Sequence, residues 1–174
     1  AERLCRRALA GREAQLGPAH RESLASANNL GCIMEAQGRP AEAEPLLRRA
    51  LEGFEAAAGP DHPDVLVALS NLARVLVAQG KQDEALLVAR RAAAGLEEML
   101  GVEHLDTLSC LDRLACLLEE RGKNSEAEVL FKQAVLGREV RQGSSHRETL
   151  ASVNGLARVY EAQGKLAQAE TLCR

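Results

Sequence analysis

The sequence predicts an all-α protein, an α-solenoid in which helix-turn-helix units follow one another along the chain. Three observations predict this fold: few aromatic residues, a 42-residue period, and helical spacing of the apolar residues within each period. Of the 174 residues, 46% are hydrophobic but only 2% are aromatic. A core of Ala, Leu and Val favours closely packed helices over a β-sandwich or barrel, where aromatic and β-branched residues are enriched.

The period is seen most easily in the histidines, which recur every 42 residues. A glycine precedes each histidine by three residues, and a leucine follows it by four. So many positions in one register indicate an internal repeat. The histidines are His20, His62, His104 and His146; the leucines are Leu24, Leu66, Leu108 and Leu150; a second set of glycines is Gly38, Gly80, Gly122 and Gly164.

The second unit illustrates how each unit divides into two helices. Helix A is predicted from about Pro63 to Gln79, and helix B from about Gln82 to Met99. Pro63 suits the first turn of a helix, and Gly80 suits a left-handed cap that ends one. Leucines on one face of helix A have the spacing of a helix that buries one side. These are Leu66, Leu69, Leu72 and Leu76.

Neither helix of a pair can bury its apolar face alone, so successive pairs are expected to stack around a continuous core and form one concave wall. Residues 1–16 align with the helix B of a preceding unit, and the last unit is shortened. Two incomplete ends indicate part of a longer array that could stack end to end between molecules. The predicted repeats are 17–58, 59–100, 101–142 and 143–174; the predicted core columns are Leu30, Leu72, Leu114 and Leu156, with Leu47, Ala89 and Phe131.

The composition argues against several classes of function. The 22 basic and 25 acidic residues are mixed along the chain and give a net charge of −3. No block of like charge therefore marks a nucleic-acid or membrane-surface binder. No apolar run reaches the roughly 18 residues of a transmembrane helix. The five cysteines lie within helical patterns, which favours a reducing, cytoplasmic location over a disulfide framework.

No residue pattern predicts an enzyme, a cofactor or a metal site. Neighbouring helices pack about 8–10 Å apart, so histidines of successive units cannot share one ion through bonds of about 2 Å. Each histidine is instead expected to form a hydrogen bond near the start of helix A. Cys5 and Cys173 fall in a core column, and Glu119 and Glu120 are interpreted as solvated helix residues and not as a general acid–base pair. A lone reactive thiol at Cys32 or Cys116 is an alternative to a purely structural role.

Three polar columns on helix A are the candidate binding residues. Asparagine is a poor helix former, so its recurrence in mid-helix indicates a role beyond helix formation. Two columns are adjacent, and the third lies three positions further on, on the same face of the helix. The columns are Asn28, Ser70, Asp112 and Asn154; Asn29, Asn71, Arg113 and Gly155; and Cys32, Arg74, Cys116 and Arg158.

A leucine followed by a small residue recurs in every helix A, as in Leu72-Ala73 and Leu156-Ala157. This pair resembles the Leu–small pair of the tetratricopeptide signature, and Tyr160 stands in the column where that family usually has Tyr. The 42-residue length resembles the repeats of kinesin light chains; similar arrays occur in sensor regions of nucleotide-binding signalling proteins. The resemblance implies a right-handed superhelix of antiparallel helices and a non-catalytic scaffold or adaptor that holds another protein.

The resemblance also implies a peptide-binding groove along the concave wall. In grooves of this kind, asparagine holds the backbone of an extended peptide, because its amide offers both donors and an acceptor. Arginine would pair with acidic side chains or a terminal carboxylate. Asp112 adds negative charge in the third repeat, so the first two repeats fit this role best. The implied groove residues are Asn28, Asn29, Asn71, Arg74, Arg113, Asn154 and Arg158.

Alternatives remain at two levels. For single residues, the asparagines could bond between neighbouring helices and the arginines could pair with nearby glutamates. For the whole chain, the array could be a structural spacer that assembles through its ends. It could also be the regulatory sensor segment of a larger nucleotide-binding signalling protein.

Overall fold

The computed structural model describes residues 1–172, and this part of the chain forms nine α-helices and no β-strand. Both predicted helices of the second 42-residue repeat agree with the structure to within one residue at each end. The helices are α1 (Glu2–Leu16), α2 (Arg21–Ala36), α3 (Pro40–Ala58), α4 (Pro63–Ala78), α5 (Gln82–Leu100), α6 (Leu105–Glu120), α7 (Asn124–Gln142), α8 (Arg147–Ala162) and α9 (Leu166–Leu172).

The chain divides into two compact units, residues 1–92 and the residues from 93 onward. The first unit contains α1 to α4 and the first part of α5; the second contains the rest of α5 and α6 to α9. In both units consecutive helices pack together, and the helices A of adjacent repeats also touch: α2 meets α4, and α6 meets α8. All residues of the predicted core columns are buried, which confirms that part of the prediction.

Two close contacts in the first unit show that α2 and α3 are antiparallel. Gly31, in the second half of α2, packs against Leu47 in the first half of α3. Gly53, towards the end of α3, packs against Leu24 at the start of α2. A Cβ atom at Gly53 would lie 2.5 Å from Leu24 Cδ1, so no larger side chain fits there without a shift. The two helices thus pack closely along their length, and Leu24 and Leu47 are fully buried.

The second unit repeats this arrangement with one variation. A Cβ atom at Gly137 in α7 would lie 2.6 Å from Leu108 Cδ2 in α6. This close approach is equivalent to that of Gly53 and Leu24 in the first unit. The variation is at Gly155 in α8, where a Cβ atom would overlap the ring of Phe131 in α7. Phe131 is a larger residue than Leu47, its counterpart 84 residues earlier, and its ring occupies the space that a side chain at Gly155 would need.

The helix-B glycines form a repeat column that the sequence analysis did not use. Glycine costs about 1 kcal/mol relative to alanine inside a helix, so its recurrence there indicates a close approach by another element. At Gly53 and Gly137 that element is the leucine four residues after the histidine, Leu24 or Leu108. Leu150 belongs to the same leucine column but is 48% exposed. The column is Gly11, Gly53, Gly95 and Gly137.

Helix A ends at a glycine, as predicted. Gly80 has φ +73°, and its N–H donates to the carbonyl of Val77 at 2.9 Å. The next N–H, of Lys81, donates to the carbonyl of Leu76 at 2.9 Å. This pair of bonds is the Schellman motif, which satisfies carbonyl groups that the helix end leaves open. The other three glycines of this column also have positive φ.

Candidate functional site

The histidines are the N-caps of the four helices A, which confirms the predicted hydrogen bonds. His62 Nδ1 accepts the backbone N–H of Asp64 at 3.2 Å, and the same bond starts α2, α6 and α8. The cap satisfies a backbone donor that has no partner within the helix. Among the described residues, no group of three or more His, Cys, Asp or Glu side chains is arranged to hold a metal ion. The histidines therefore act in helix formation.

The sequence-predicted groove residues fall on two surfaces, one in each unit. We call the surface formed by Asn28, Asn29, Asn71 and Arg74 on α2 and α4 the first polar face. We call the surface formed by Arg113, Asn154 and Arg158 on α6 and α8 the second polar face.

In the first polar face, the two asparagine columns bond between adjacent helices. Asn71 Nδ2 donates to Oδ1 of the buried Asn28 at 3.2 Å and so joins α4 to α2. Asn29 is exposed. One amide bond leaves Asn71 with an acceptor and a second N–H, so its capacity for further hydrogen bonds is not exhausted. Asn28 is a structural member of this face, whereas Asn29 and Asn71 have groups to offer a ligand.

Arg74 is already paired within the first polar face. Its Nη2 donates to Oε2 of Glu35 at 2.7 Å, across the gap between α4 and α2. Cys32 lies one helical turn before Glu35, and burial raises the pKa of its thiol, although the charge of Arg74 acts in the opposite direction. A raised pKa reduces the thiolate fraction on which cysteine reactivity depends. Cys173, which the sequence places in the same core column as Cys5, lies outside the described residues.

The same arrangement recurs in the second polar face. Arg158 donates through Nε and Nη2 to the two carboxylate oxygens of Glu119, at 2.9 and 2.7 Å. Glu119 raises the pKa of Arg158 above its ordinary range, and burial raises the pKa of Cys116 beside them. The side chain of Glu119 is only 18% exposed, so its interpretation as a solvated residue was wrong. Arg158 on α8 covers it, which the sequence of α6 alone does not indicate.

Asp112 does not present a free negative charge. Its Oδ2 accepts Nε of Arg138 at 3.0 Å and the hydroxyl of Ser152 at 2.8 Å. The Arg138 side chain is 3% exposed, and its Nη2 also donates to the hydroxyl of Ser109 at 3.1 Å. Burial raises the pKa of Asp112, whereas Ser152 and Arg138 favour its charged form. A buried charge is costly unless it is paired, so this group of residues forms one interdependent structure.

An open cleft of about 560 Å³ lies in the second unit between α6, α7 and α8. Gly155 and Phe131 line it together with Arg113, Arg138 and Arg158. Its volume is in the range of ligand-binding pockets, about 300–1,000 Å³. The cleft therefore brings Arg113 and Arg158 of the second polar face to one opening, while Asn154 is exposed on α8.

The polar residues of this cleft replace apolar residues of the first unit. Positions 84 residues before Arg138, Ser109 and Ser152 are occupied by a phenylalanine and two alanines. In the second unit, these three positions hold the buried Arg138, Ser109, which accepts a hydrogen bond from Arg138, and Ser152, which donates one to Asp112. This difference is visible in the sequence, but only when residues two repeats apart are aligned. The first-unit residues are Phe54, Ala25 and Ala68.

Stacked helical hairpins with a 42-residue register define a tetratricopeptide-type solenoid. A tetratricopeptide repeat family model matches residues 1–56 and 36–98, and a second tetratricopeptide repeat model matches residues 107–148 and 149–174. The chain therefore belongs to the tetratricopeptide repeat family. No curated protein matches it.

Solved structures with a similar fold carry kinesin light chain-type repeats. One is a substituted form of a Podosopora anserina putative kinesin light chain with nearly identical TPR-like repeats. It is 29% identical to this chain and has a TM-score of 0.85, and the match covers 99% of this chain and 81% of that chain. A second structure of those repeats is also 29% identical, with a TM-score of 0.83 over 99% and 82%. BtubC (BKLC) from P. vanneervenii is 20% identical, with a TM-score of 0.88 over 99% and 68%, a likeness of fold alone.

No helix among the described residues combines the length and apolar character needed to cross a membrane.

Proposed function

We propose that this chain is a non-catalytic scaffold or adaptor module that binds an extended peptide of a partner protein on its polar faces. Tetratricopeptide repeat proteins are generally protein-interaction scaffolds. The observation that carries the proposal is the open cleft of about 560 Å³, lined by Arg113 and Arg158. Each face combines amide or guanidinium donors with an accessible surface, the chemistry that a peptide backbone requires.

The two faces contribute differently to this proposal. The first offers the amides of Asn29 and Asn71, which match a peptide unit without reading its side chain. The second offers a concave opening with an apolar floor at Phe131 and Gly155. We expect the first face to bind main chain and the second to accept a side chain of the partner.

A peptide-library selection tests the proposal. The unmutated protein is compared with an Asn71→Ala/Arg74→Glu variant and with Arg7→Glu, a charge reversal at an exposed position of α1, a helix that carries none of the residues of the polar faces. We expect the unmutated protein and Arg7→Glu to enrich the same peptides and the double variant to lose them. Circular dichroism checks that all three remain folded. Identical enrichment by all three, or none by any, would contradict peptide binding at the first face.

Self-association is a second candidate function, favoured by one outer surface of α7. Leu136 and Val140 are 64% and 74% exposed and lie four residues apart on the same side of the helix. Large exposed apolar side chains that adjoin one another often mark an interaction surface. Sedimentation velocity over a dilution series should then show a concentration-dependent oligomer that Leu136→Lys removes. Leu4→Lys, which replaces an equally exposed leucine of α1, is the matched control.

A further inference from the structure

Arg74 and Arg158, one on each polar face, lie two repeats apart. The column that contains them alternates between cysteine and arginine: Cys32, Arg74, Cys116 and Arg158. Three residues after each of these cysteines stands a glutamate, Glu35 or Glu119. A cysteine, a glutamate and an arginine thus recur as a set every 84 residues, once in each unit.

Both sets form the same contact within their own unit. Arg74 reaches back from α4 to Glu35 on α2 at 2.7 Å, and Arg158 reaches back from α8 to Glu119 on α6 at 2.7 Å. Each glutamate side chain is more buried than its arginine, at 23% against 35% exposed and 18% against 54%. The glutamate is therefore held by the scaffold, and the guanidinium lies over it towards solvent.

Because cysteine and arginine alternate in this column, each glutamate has only one arginine of the column to neutralise. An arginine at the position of Cys32 would stand on the same face as Arg74 and compete with it for Glu35. Cysteine is small, and burial keeps its thiol in the uncharged form by raising its pKa. Each set consequently has one positive and one negative charge, and its charges cancel.

A ligand carboxylate gains little at such a pair. To contact Arg74 or Arg158 it must replace the glutamate or share the guanidinium with it, and the glutamate then repels it. An exposed ion pair is weak in any case, and exchanging one such pair for another yields no net gain. Hydrogen bonding from the asparagines does not depend on the charge of the ligand, so it is unaffected.

We infer that Glu35 and Glu119 are specificity-determining residues, which neutralise Arg74 and Arg158 and so prevent these two arginines from selecting acidic peptides. The inference rests on the proposed peptide-binding function and deepens it. It differs from the sequence-based expectation that the arginines pair with acidic ligands. Under this inference the partner is recognised chiefly through its main chain and its uncharged side chains.

Glutamine substitutions at the two glutamates test this inference, because glutamine keeps the shape and removes the charge. The probe is an array of peptides with blocked ends, each synthesised in a version with Glu and a version with Gln at every position. Glu161→Gln is the matched control: Glu161 belongs to the same repeat column, is exposed, and forms no ion pair within the described residues. Thermal melts confirm that each variant is folded.

The unmutated protein and Glu161→Gln should bind the Glu and Gln versions of a peptide with similar affinity. Glu35→Gln and Glu119→Gln should each bind the Glu version about two- to fivefold more tightly than the Gln version. Binding without this shift, or a strong preference for Glu in the unmutated protein, would overturn the inference and leave the proposed function standing. If no variant binds any peptide, the proposed function fails and the inference fails with it.

Discussion

The contact between Gly155 and Phe131 predicts a mutation whose effect changes sign with its neighbour. A Cβ atom at Gly155 would overlap the Phe131 ring, so Gly155→Ala overpacks the interface between α8 and α7. Overpacking costs about 1–3 kcal/mol, and replacing a helix-interior glycine with alanine regains up to about 1 kcal/mol. We therefore expect Gly155→Ala to lower the free energy of unfolding by about 1 kcal/mol.

In a Phe131→Leu background the same substitution should be stabilising. Leucine lacks the ring atoms that approach Gly155, and the first unit already combines Leu47 with Asn71 at the equivalent positions. Only the gain in helix propensity then remains, about 0.5–1 kcal/mol. The coupling between the two substitutions is thus about 2 kcal/mol, above the scatter expected of independent sites. Urea denaturation of the four proteins in this double-mutant cycle measures it. An equal effect of Gly155→Ala in both backgrounds would refute the packing argument.

Three further predictions concern the scaffold. His62→Ala removes a helix N-cap and should lower the free energy of unfolding by about 0.5–2 kcal/mol. His62→Asn should retain most of the wild-type stability, since Asn is a good N-cap residue. Thermal melts of the two variants and the unmutated protein measure the difference. Leu72→Ala empties a fully buried site and should cost about 2–5 kcal/mol in chemical denaturation, and no change would remove Leu72 from the core. Lys81 and Arg48 lower the pKa of Glu44 from an ordinary value of 4.5 to about 2. Because the folded state holds the carboxylate charged, this stabilisation is complete above pH 4.5 and is lost as the pH falls towards about 2. The urea concentration at the unfolding midpoint should therefore fall less steeply between neutral and acidic pH for Glu44→Gln than for the unmutated protein. Parallel plots of this midpoint against pH would contradict the stabilising role of the Glu44 carboxylate.

The helices and their ends could be predicted from the sequence because their determinants are local. The Schellman bonds at Gly80 and the cap at His62 connect residues two to five apart in the chain. The leucine spacing of helix A likewise lies within a single helix. Repetition multiplied this local signal, since each feature occurs once every 42 residues.

The candidate site could be predicted only as a set of positions. The three polar columns correctly identified polar residues on the helices A, but they did not indicate the contacts that these residues make within the protein. Glu35, Arg138 and Ser152 were missed, although a comparison of residues 84 positions apart was a signal for all three: Glu35 recurs as Glu119, and Arg138 and Ser152 replace Phe54 and Ala68. Whether these positions bind a peptide remains a prediction.

The sequence by itself determined the helical class, the repeat length, the helix ends and the buried leucine columns of this protein. All of these follow from hydrogen bonds and apolar periodicity within about one helix, where chain connectivity sets the geometry. Only the tertiary structure decided that Arg74 and Arg158 are neutralised by glutamates, that Asp112 holds the buried Arg138, and that a cleft opens beside Gly155. The ion pairs join residues 26 to 39 positions apart, and the size of the cleft depends on how side chains from three helices fill a shared space.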